Sequence, residues 1–349
     1  MVKKLIKGNI ALCEGALAAG LDAYFGYPIT PQNEVPAYMS NKMVSLGKVF
    51  VQAESELAAA NMVLGACATG KRSMTSSSSP GISLKQEAIS YMAGMEIPGV
   101  IVNVQRGGPG LGNIAGSQAD YFQAVKGGGH GDYRLIVFAP NCAQEMYEIT
   151  YEAFDIAEKY RNPVMILCDG IIGQMMEPVE FNKEQKSSFS KKDWCLDGCK
   201  GREPRSVKSL LMKDGALEQH NLDLQKKYET IKNNEAKAEL YHIEDAEIII
   251  VSFGISSRIS KNAIKQAREK GIKAGLIRPI TLWPFPSEII KKYAKPGIKF
   301  LSVELSLGQM IEDVKLAVNG VSSVDFLGRA GGGIVSDKEV LNKITELKK

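Results

Sequence analysis

Histidine is nearly missing from this chain, with three in 349 residues, and cysteine is sparse, with six. Cys13, Cys67, Cys142, Cys168, Cys195 and Cys199 sit mostly inside apolar runs, as buried free thiols do. Only Cys195 and Cys199, in CLDGC, stand close together, and with no histidine beside them no metal site is expected there. The roughly four tightly spaced cysteines that an iron–sulfur cluster takes are lacking. No disulfide spacing is apparent, and a reducing cytoplasm is the expected compartment. Nor does any run approach the ~20 apolar residues of a membrane span. Glu14 and Asp22 interrupt the alanine- and leucine-rich stretch after the basic first residues, which leaves too little for a signal-peptide core and predicts an uncleaved, soluble chain. The net charge of +4 is small for this length, so nucleic acid is not indicated, and an anionic ligand would need a local positive site. No Ser/His/Asp or Cys/His arrangement stands out, and no short-period repeat is present.

What is present is an ordinary globular composition, 44% apolar and 23% charged. At about 150 residues per domain, the length points to two domains. From 1 to 180, helical and strand patterns alternate. NIALCEGALAAG reads as a helix closed by Gly20, DAYFGYP as a short strand broken by its prolines, and KVFVQA as a strand running into the helix ESELAAANMVLGACA. KRSMTSSSS reads as a strand entering a polar loop, with ISLKQEAISYMAG as the next helix. GVIVNVQ, RLIVFAP and PVMILCD are apolar runs of the kind buried on both faces of a parallel sheet. This alternation predicts an α/β doubly wound domain. Residues 181–245 form a charge-rich excursion with a surface helix, and Trp194, Leu210 and Leu211 predict that it packs on the core. At 246–349 strand signals return in AEIIIVSFG, KAGLIRP, KFLSVE and SVDFLG, as a smaller α/β unit.

In open α/β sheets ligands sit beyond the carboxyl ends of the strands. Four segments of the first domain are expected there: GYPITP, QAESE, TSSSSPG and QRGGPGLGN. GYPITP carries two prolines and a glycine, so it continues neither helix nor central strand, yet it presents Tyr27 and Thr30. Thr30 has a plainer reading as the N-cap of a helix starting at Pro31. GGPGLG has neither a P-loop lysine nor strict dinucleotide-binding spacing, and it reads equally well as a glycine turn. Glu54 and Glu56 fall where a strand gives way to a helix, where acids oppose the helix dipole. Two residues apart, they point about 200° from each other, so at most one faces a cleft. Glu56, beside Leu57 and the alanines, is the better candidate, with a carboxyl expected to rise in pKa on burial and to serve acid–base work. Arg106 opens the glycine loop and is either a solvated arginine or a carboxylate receptor. His130 and Asp132, in GGGHGDYR, read better as a rim loop than as an acid–base pair. Machinery this thin belongs to a protein that is no enzyme or is part of one.

GYPITP, ESELAA, VNVQRGGPG and NPVMILCDG together resemble the α subunit of the 2-oxoacid:ferredoxin oxidoreductases, and RPITLWPFP and VELSLGQM resemble that subunit's transketolase C-terminal-like domain. The resemblance spans nearly the whole chain in order. In the charged excursion it is most similar to the branch acting on branched-chain 2-oxoacids such as 3-methyl-2-oxobutanoate. It implies that residues 1–180 form the pyrimidine-binding half of a thiamine diphosphate site. The other half, with Mg²⁺ and the diphosphate, is implied to lie on a β subunit. It further implies γ or ferredoxin-like δ subunits carrying iron–sulfur clusters, ferredoxin as electron acceptor, and coenzyme A as acyl acceptor. Glu56 matches the glutamate that contacts the aminopyrimidine N1′, with Tyr27, Pro28 and Ser79 lining the cofactor. Thr30 and Arg106 match the threonine near the substrate and the arginine that pairs with its carboxylate. Two alternatives stand beside this one: a pyruvate or 2-oxoglutarate branch run in either direction, and a scaffold subunit whose thiamine groove is vestigial.

Overall fold

The structure is a computed structural model, and it describes residues 3–186 and 192–349. Its first part runs β1 (Lys3–Lys7), α1 (Gly8–Ala18), β2 (Ala23–Gly26), α2 (Glu34–Ser45), β3 (Val49–Gln52), α3 (Glu56–Ala68), β4 (Ser73–Ser77) and α4 (Ser79–Gly94). It continues with β5 (Val100–Gln105), α5 (Tyr121–Val125), β6 (Ile136–Phe138), α6 (Ala143–Tyr160), β7 (Val164–Asp169), α7 (Gly170–Gln174) and β8 (Met176–Glu180). The second part comprises α8 (Ala216–Glu235), β9 (Ala238–Tyr241), β10 (Ile248–Val251), α9 (Gly254–Glu269), β11 (Ala274–Pro279) and β12 (Thr281–Trp283). It closes with α10 (Ser287–Tyr293), β13 (Lys299–Glu304), α11 (Met310–Val318), β14 (Ser323–Gly328) and α12 (Asp337–Lys348).

A seven-stranded sheet has the order β12-β6-β7-β5-β4-β2-β3, parallel except for the β12–β6 edge. Every residue of β5 and β7 is buried, because helices cover both faces. Helix α1 lies so close to α6 that a side chain on Gly15 would meet the Tyr147 carbonyl oxygen at 2.2 Å. A second sheet, β14-β13-β10-β11-β9, is parallel apart from β9. The two sheets trade strands across the expected 245/246 division: β9 joins the second sheet, and β12 joins the first. No helix among the described residues is long and apolar enough to cross a membrane.

Several local expectations differ from what forms. Helix α2 begins at Glu34, not at Pro31. The Pro31 carbonyl is held by the side chains of Asn9 (2.9 Å) and Gln174 (2.7 Å), and Gln32 is drawn inward, so 31–33 stay a turn. Thr30 is therefore not an N-cap; its hydroxyl oxygen accepts from Asn33 Nδ2 at 3.0 Å. The serine run is not a loop. Strand β4 takes it through Ser77, and α4 begins at Ser79 with Pro80 in its first turn, where a missing N–H costs nothing. In the excursion, Trp194 packs under the Arg161 guanidinium, with the ring centre 5.1 Å away, while Leu210 is exposed. Residues 187–191 of that segment lie outside the described residues. The pairing of β1 with β8 and the helices α11 and α12 were not expected from the sequence.

The two sheets are joined by buried polar contacts. Gln118 donates to the Phe253 carbonyl (2.8 Å) and accepts from Leu305 N (3.0 Å) and the Ser256 hydroxyl (3.0 Å). Arg278 grips Glu145 through both terminal nitrogens, at 2.9 and 2.7 Å. Asp169 closes β7: one carboxylate oxygen accepts from Ile172 N (3.0 Å), the other from Ile255 N at the start of α9 (2.9 Å). Burial pushes this carboxyl up, and the backbone donors pull it down. An amide accepts at only one of the two positions. Asp169→Asn is therefore expected to leave a buried donor unmatched and to cost about 1–3 kcal/mol, read as a lower denaturation midpoint; an unchanged midpoint would mean the latch carries no weight.

Candidate active site at the carboxyl edge of the first sheet

The connections leaving β2, β3, β4 and β5 lie beyond the same sheet edge. Strand β2 pairs with β3 on one side and β4 on the other, which makes the gap between β2 and β4 the topological switch point. Helix α4 starts there, and two groups of side chains flank its first turn.

On one side is Glu56. The Ser55 hydroxyl oxygen accepts from Ala58 N at 3.2 Å and starts α3, which sets Glu56 in the first helical turn. Glu56 is 7% exposed, whereas Glu54 precedes the helix and faces solvent. The Glu56 carboxylate makes no hydrogen bond and no ion pair among the described residues. It lies against Gly81: a Cβ there would stand 2.6 Å from Glu56 Oε1 and 2.1 Å from the Ser77 hydroxyl. The hydroxyls of Ser77 and Ser78 are buried without partners.

Behind Glu56 is a residue the sequence reading missed. Lys85, in the second turn of α4, is wholly buried. Its ammonium donates to Thr75 Oγ1 at 2.8 Å and, at 3.4 Å, to the backbone carbonyl of Glu56. Burial pushes Lys85 down to about 7, against the opposing pull of the Glu56 charge. A signal for it was available: Lys85 falls between Ile82 and Ile89 on the stripe that helical periodicity assigns to the core.

On the other side is Arg106, 7% exposed. Its guanidinium donates to the carbonyls of Thr30 (3.0 Å) and Leu111 (3.0 Å), joining GYPITP to the glycine loop. Its Nε is buried without a partner, and among the described residues it makes no ion pair. Thr30 thus stands beside Arg106 as expected. Ser79 differs from expectation, because its hydroxyl is turned inward. It donates to Asp120 at 2.6 Å and accepts from Arg106 N at 3.0 Å. Asp120, also bonded to Asn103 at 2.8 Å, is pushed up by burial and held back by these two hydrogen bonds. Asp120 and Asn103 carry no motif and were missed. Tyr27 is half-buried, with its carbonyl accepting from Gln32 Nε2 at 3.2 Å, and Pro28 is exposed on the outside of the loop.

GYPITP is rigid through packing as well as through its prolines. Ser76 of β4 bonds both Gln32 and the Tyr24 hydroxyl, and Tyr24 stacks on Phe50 with centroids 5.8 Å apart. His130 and Asp132 are exposed in the loop before β6 and take no part in either group. Cys195 is buried against Gly70 and Cys199 is exposed. Among the described residues no three metal-ligating side chains gather. A groove of about 620 Å³ beside Trp283 and Phe285 shares no residue with either group.

Comparison with known proteins bears on the family and the fold. A profile described as pyruvate flavodoxin/ferredoxin oxidoreductase, thiamine-diphosphate-binding, matches residues 14–242, and one described as pyruvate:ferredoxin oxidoreductase core domain II matches 246–340. The ketoisovalerate oxidoreductase subunit VorB of Methanothermobacter marburgensis is 51% identical over 99% of this chain and 98% of its own length. The 2-oxoglutarate synthase subunit KorA of the same organism is 36% identical, over 98% of both. Among solved structures, a 2-oxoglutarate:ferredoxin oxidoreductase from Magnetococcus marinus, with 2-oxoglutarate, coenzyme A and succinyl-CoA bound, superposes with a TM-score of 0.87 at 25% identity. That match covers 99% of this chain and 65% of the longer one. A split-gene transketolase shares the fold, with a TM-score of 0.59 at 14% identity.

Lys85 gives this site a measurable pH signature. Its folded-state pKa, about 7, lies below the ordinary 10.5, so between these values the unfolded chain binds the extra proton and stability rises with pH. Lys85→Met removes that burden. Its gain in thermal midpoint relative to the parent is expected to be full at or below about pH 7 and to fade toward pH 10. A difference between the two midpoints that stays constant with pH contradicts this.

Proposed function

The chain belongs to the 2-oxoacid:ferredoxin oxidoreductase family, and from that premise we propose that it is the α subunit of an enzyme that oxidatively decarboxylates a branched-chain 2-oxoacid, 3-methyl-2-oxobutanoate. The products are CO₂ and an acyl thioester of coenzyme A, with electrons leaving one at a time to ferredoxin. The observation that carries this reading is Glu56: a buried carboxylate at the switch point, backed by a glycine and unpartnered hydroxyls, and without a donor among the described residues. These residues fit the aminopyrimidine end of thiamine diphosphate. A ring nitrogen would answer the carboxylate, and Ser77 and Ser78 offer unused hydroxyls. When bound, that cofactor supplies the carbon nucleophile and the electron sink for decarboxylation.

The chain's own residues then have distinct tasks. Glu56 holds or shares a proton with the ring nitrogen, which is general acid–base work. Arg106, anchored on two carbonyls and with Nε free, receives the substrate carboxylate. The Thr30 hydroxyl, on the residue whose carbonyl Arg106 holds, orients the 2-oxo group. Ser79 holds the Arg106 backbone, and Tyr27 and Pro28 form the outer wall of the cofactor site. The diphosphate, Mg²⁺ and iron–sulfur clusters belong to β, γ or δ partner subunits. Bound coenzyme A in the Magnetococcus relative supports that co-substrate. The six free thiols support a cytoplasmic setting.

Two facts favour a branched aliphatic substrate over 2-oxoglutarate. The identity to a ketoisovalerate subunit is 51%, against 36% to a 2-oxoglutarate one. The loop whose Leu111 carbonyl the Arg106 guanidinium holds, residues 107–116, carries two exposed aliphatic side chains, Leu111 and Ile114, and no second cation for a second carboxylate.

Three measurements on the complex reconstituted with its partner subunits test this. Glu56→Gln is expected to lower turnover by about 10²–10⁴-fold with assembly intact. Arg106→Ala is expected to raise KM for the 2-oxoacid more than it lowers kcat. In a panel of 2-oxoacids assayed by coenzyme A-dependent dye reduction, the branched ones are expected to lead. Preference for 2-oxoglutarate would refute the substrate assignment. Wild-type activity in a Glu56, Thr30 and Arg106 triple alanine variant would make the chain a scaffold.

A further inference from the structure

Resting on the reading of Arg106 as the receptor of the substrate carboxylate, we infer that Asp120 is a positioning residue. Its carboxyl sets the direction of the hydrogen bonds that hold the Arg106 backbone and the first turn of α4. Asp120 stands at the N-cap of α5, where an aspartate ordinarily accepts from the backbone of its own helix. It makes no such bond. Its side chain turns instead onto the buried Ser79 and Asn103. A single oxygen, Oδ2, accepts from both, from Ser79 Oγ at 2.6 Å and from Asn103 Nδ2 at 2.8 Å. The Asp120 N–H is itself anchored, donating to Oε1 of Gln105 at 3.1 Å, and Gln118 two residues earlier is bonded to the second domain.

Each of these donors has more than one way to bond. A hydroxyl turns its one proton in several directions, and an amide presents either end. Ser79 Oγ lies near both main-chain groups of Arg106, 3.0 Å from the nitrogen and 3.3 Å from the carbonyl oxygen. With its proton committed to Asp120, the hydroxyl meets Arg106 as an acceptor, and the Arg106 N–H has its partner. Without that commitment the proton turns toward the carbonyl, and the lone pairs turn with it. In the same way Asp120 draws the NH2 end of Asn103. That leaves Oδ1 to accept from Ser79 N at 3.1 Å, one of the N–H groups that the start of α4 cannot satisfy within the helix. The N-cap residue Ser78 makes no side-chain bond there, so this outside acceptor takes its place. One carboxyl thus reaches both flanks of α4: Arg106 through the Ser79 hydroxyl, and, through Asn103, the helix start that sets Gly81 against Glu56. Accepting at Oδ2 requires an oxygen in that place and not the charge.

The test is steady-state kinetics of the complex reconstituted with its partner subunits, with amide hydrogen exchange of the same complexes as a second readout. Asp120→Leu, similar in shape but without an acceptor, is expected to raise KM for 3-methyl-2-oxobutanoate by about tenfold, the scale of one hydrogen bond. Because a loosened anchor weakens substrate binding and not the chemical step, kcat is expected to stay within about twofold of the parent. Exchange is expected to quicken in the peptides that contain Ser79 and Arg106. Asp120→Asn, whose carbonyl oxygen takes the place of Oδ2, is expected to keep both KM and exchange at parent values. Parent KM in the leucine variant, or a loss confined to kcat, overturns the proposal. So does an asparagine variant as impaired as the leucine one, since charge rather than bond direction would then be the active property. If Asp120→Leu does not assemble, Ser79→Ala removes the acceptor of the Arg106 N–H and is expected to raise KM to a similar extent; parent KM there overturns the proposal. Arg106→Ala separates the two readings. If it leaves KM unchanged, the receptor reading of Arg106 fails. If it raises KM, adding the Asp120 or Ser79 substitution to it is expected to raise KM by less than about twofold more. A further rise as large as in the parent background means that Asp120 acts elsewhere, and only its positioning role fails.

Discussion

A carboxylate withdrawn from water must be met by donors or cations, and Glu56 is met incompletely by its own chain. Two partial answers are built in. The residue sits in the first turn of α3, where the unpaired N–H groups favour negative charge, and the Lys85 ammonium stands behind it. Neither makes a hydrogen bond to its oxygens. The charge is tolerable but unsatisfied, which is the condition under which a ligand nitrogen arriving from outside is held tightly. Arg106 shows the same state with the opposite sign: two donors are spent on carbonyls, and among the described residues Nε has no partner and no acid pairs with the guanidinium. The same edge thus carries one buried anion and one buried cation, each with bonding capacity left over, on opposite sides of α4.

Small residues make that arrangement possible. Strand β4 reads Ser-Met-Thr-Ser-Ser and is buried throughout, an unusual composition for the middle of a parallel sheet. Its hydroxyls serve as brackets: Thr75 for Lys85, and Ser76 for Gln32 and Tyr24. Gly81 then lets the Glu56 carboxyl lie against the α4 backbone, where any side chain would expel it. The stiffness of GYPITP has the same source. Its prolines restrict the loop, and Asn9, Gln174, Gln32 and Arg106 pin its carbonyls from four directions. Preorganisation of this kind moves the entropy cost of placing Thr30 and Arg106 from the binding step to folding.

How much of this the sequence carries depends on the kind of residue. The buried strands of both sheets were legible because β-branched runs such as VIVNVQ and IIIV have few other uses. Glu56, Thr30 and Arg106 were legible as positions, because strand ends and punctuating residues mark where a sheet edge must be. Their partners were not. The strand through KRSMT was expected, but its serine end looked like a loop because serine is a common loop residue, and the burial of β4 involves Lys85, Gln32 and Tyr24 from elsewhere in the chain. Asp120 and Asn103 meet across 17 residues and leave no local pattern. The strand exchange between sheets was hidden for a related reason: TLW and AELY are too short to show which sheet they join.

The second domain adds constraint where the first is weakest. The glycine loop after Arg106 would be loose by itself, but Asn113 within it donates to the Gly331 carbonyl at 2.8 Å, beyond the last strand of the other sheet. Gln118, a few residues on, inserts between the start of α9 and the end of β13. Asp120 follows at once and carries Ser79, which carries the Arg106 backbone. The placement of the guanidinium is therefore decided at both ends of one loop by contacts to the second domain. A cation 7% exposed needs such support, since a wandering arginine would find water rather than wait for a carboxylate. The C-terminal unit thus holds the loop that positions Arg106, through backbone and amide contacts at both of its ends.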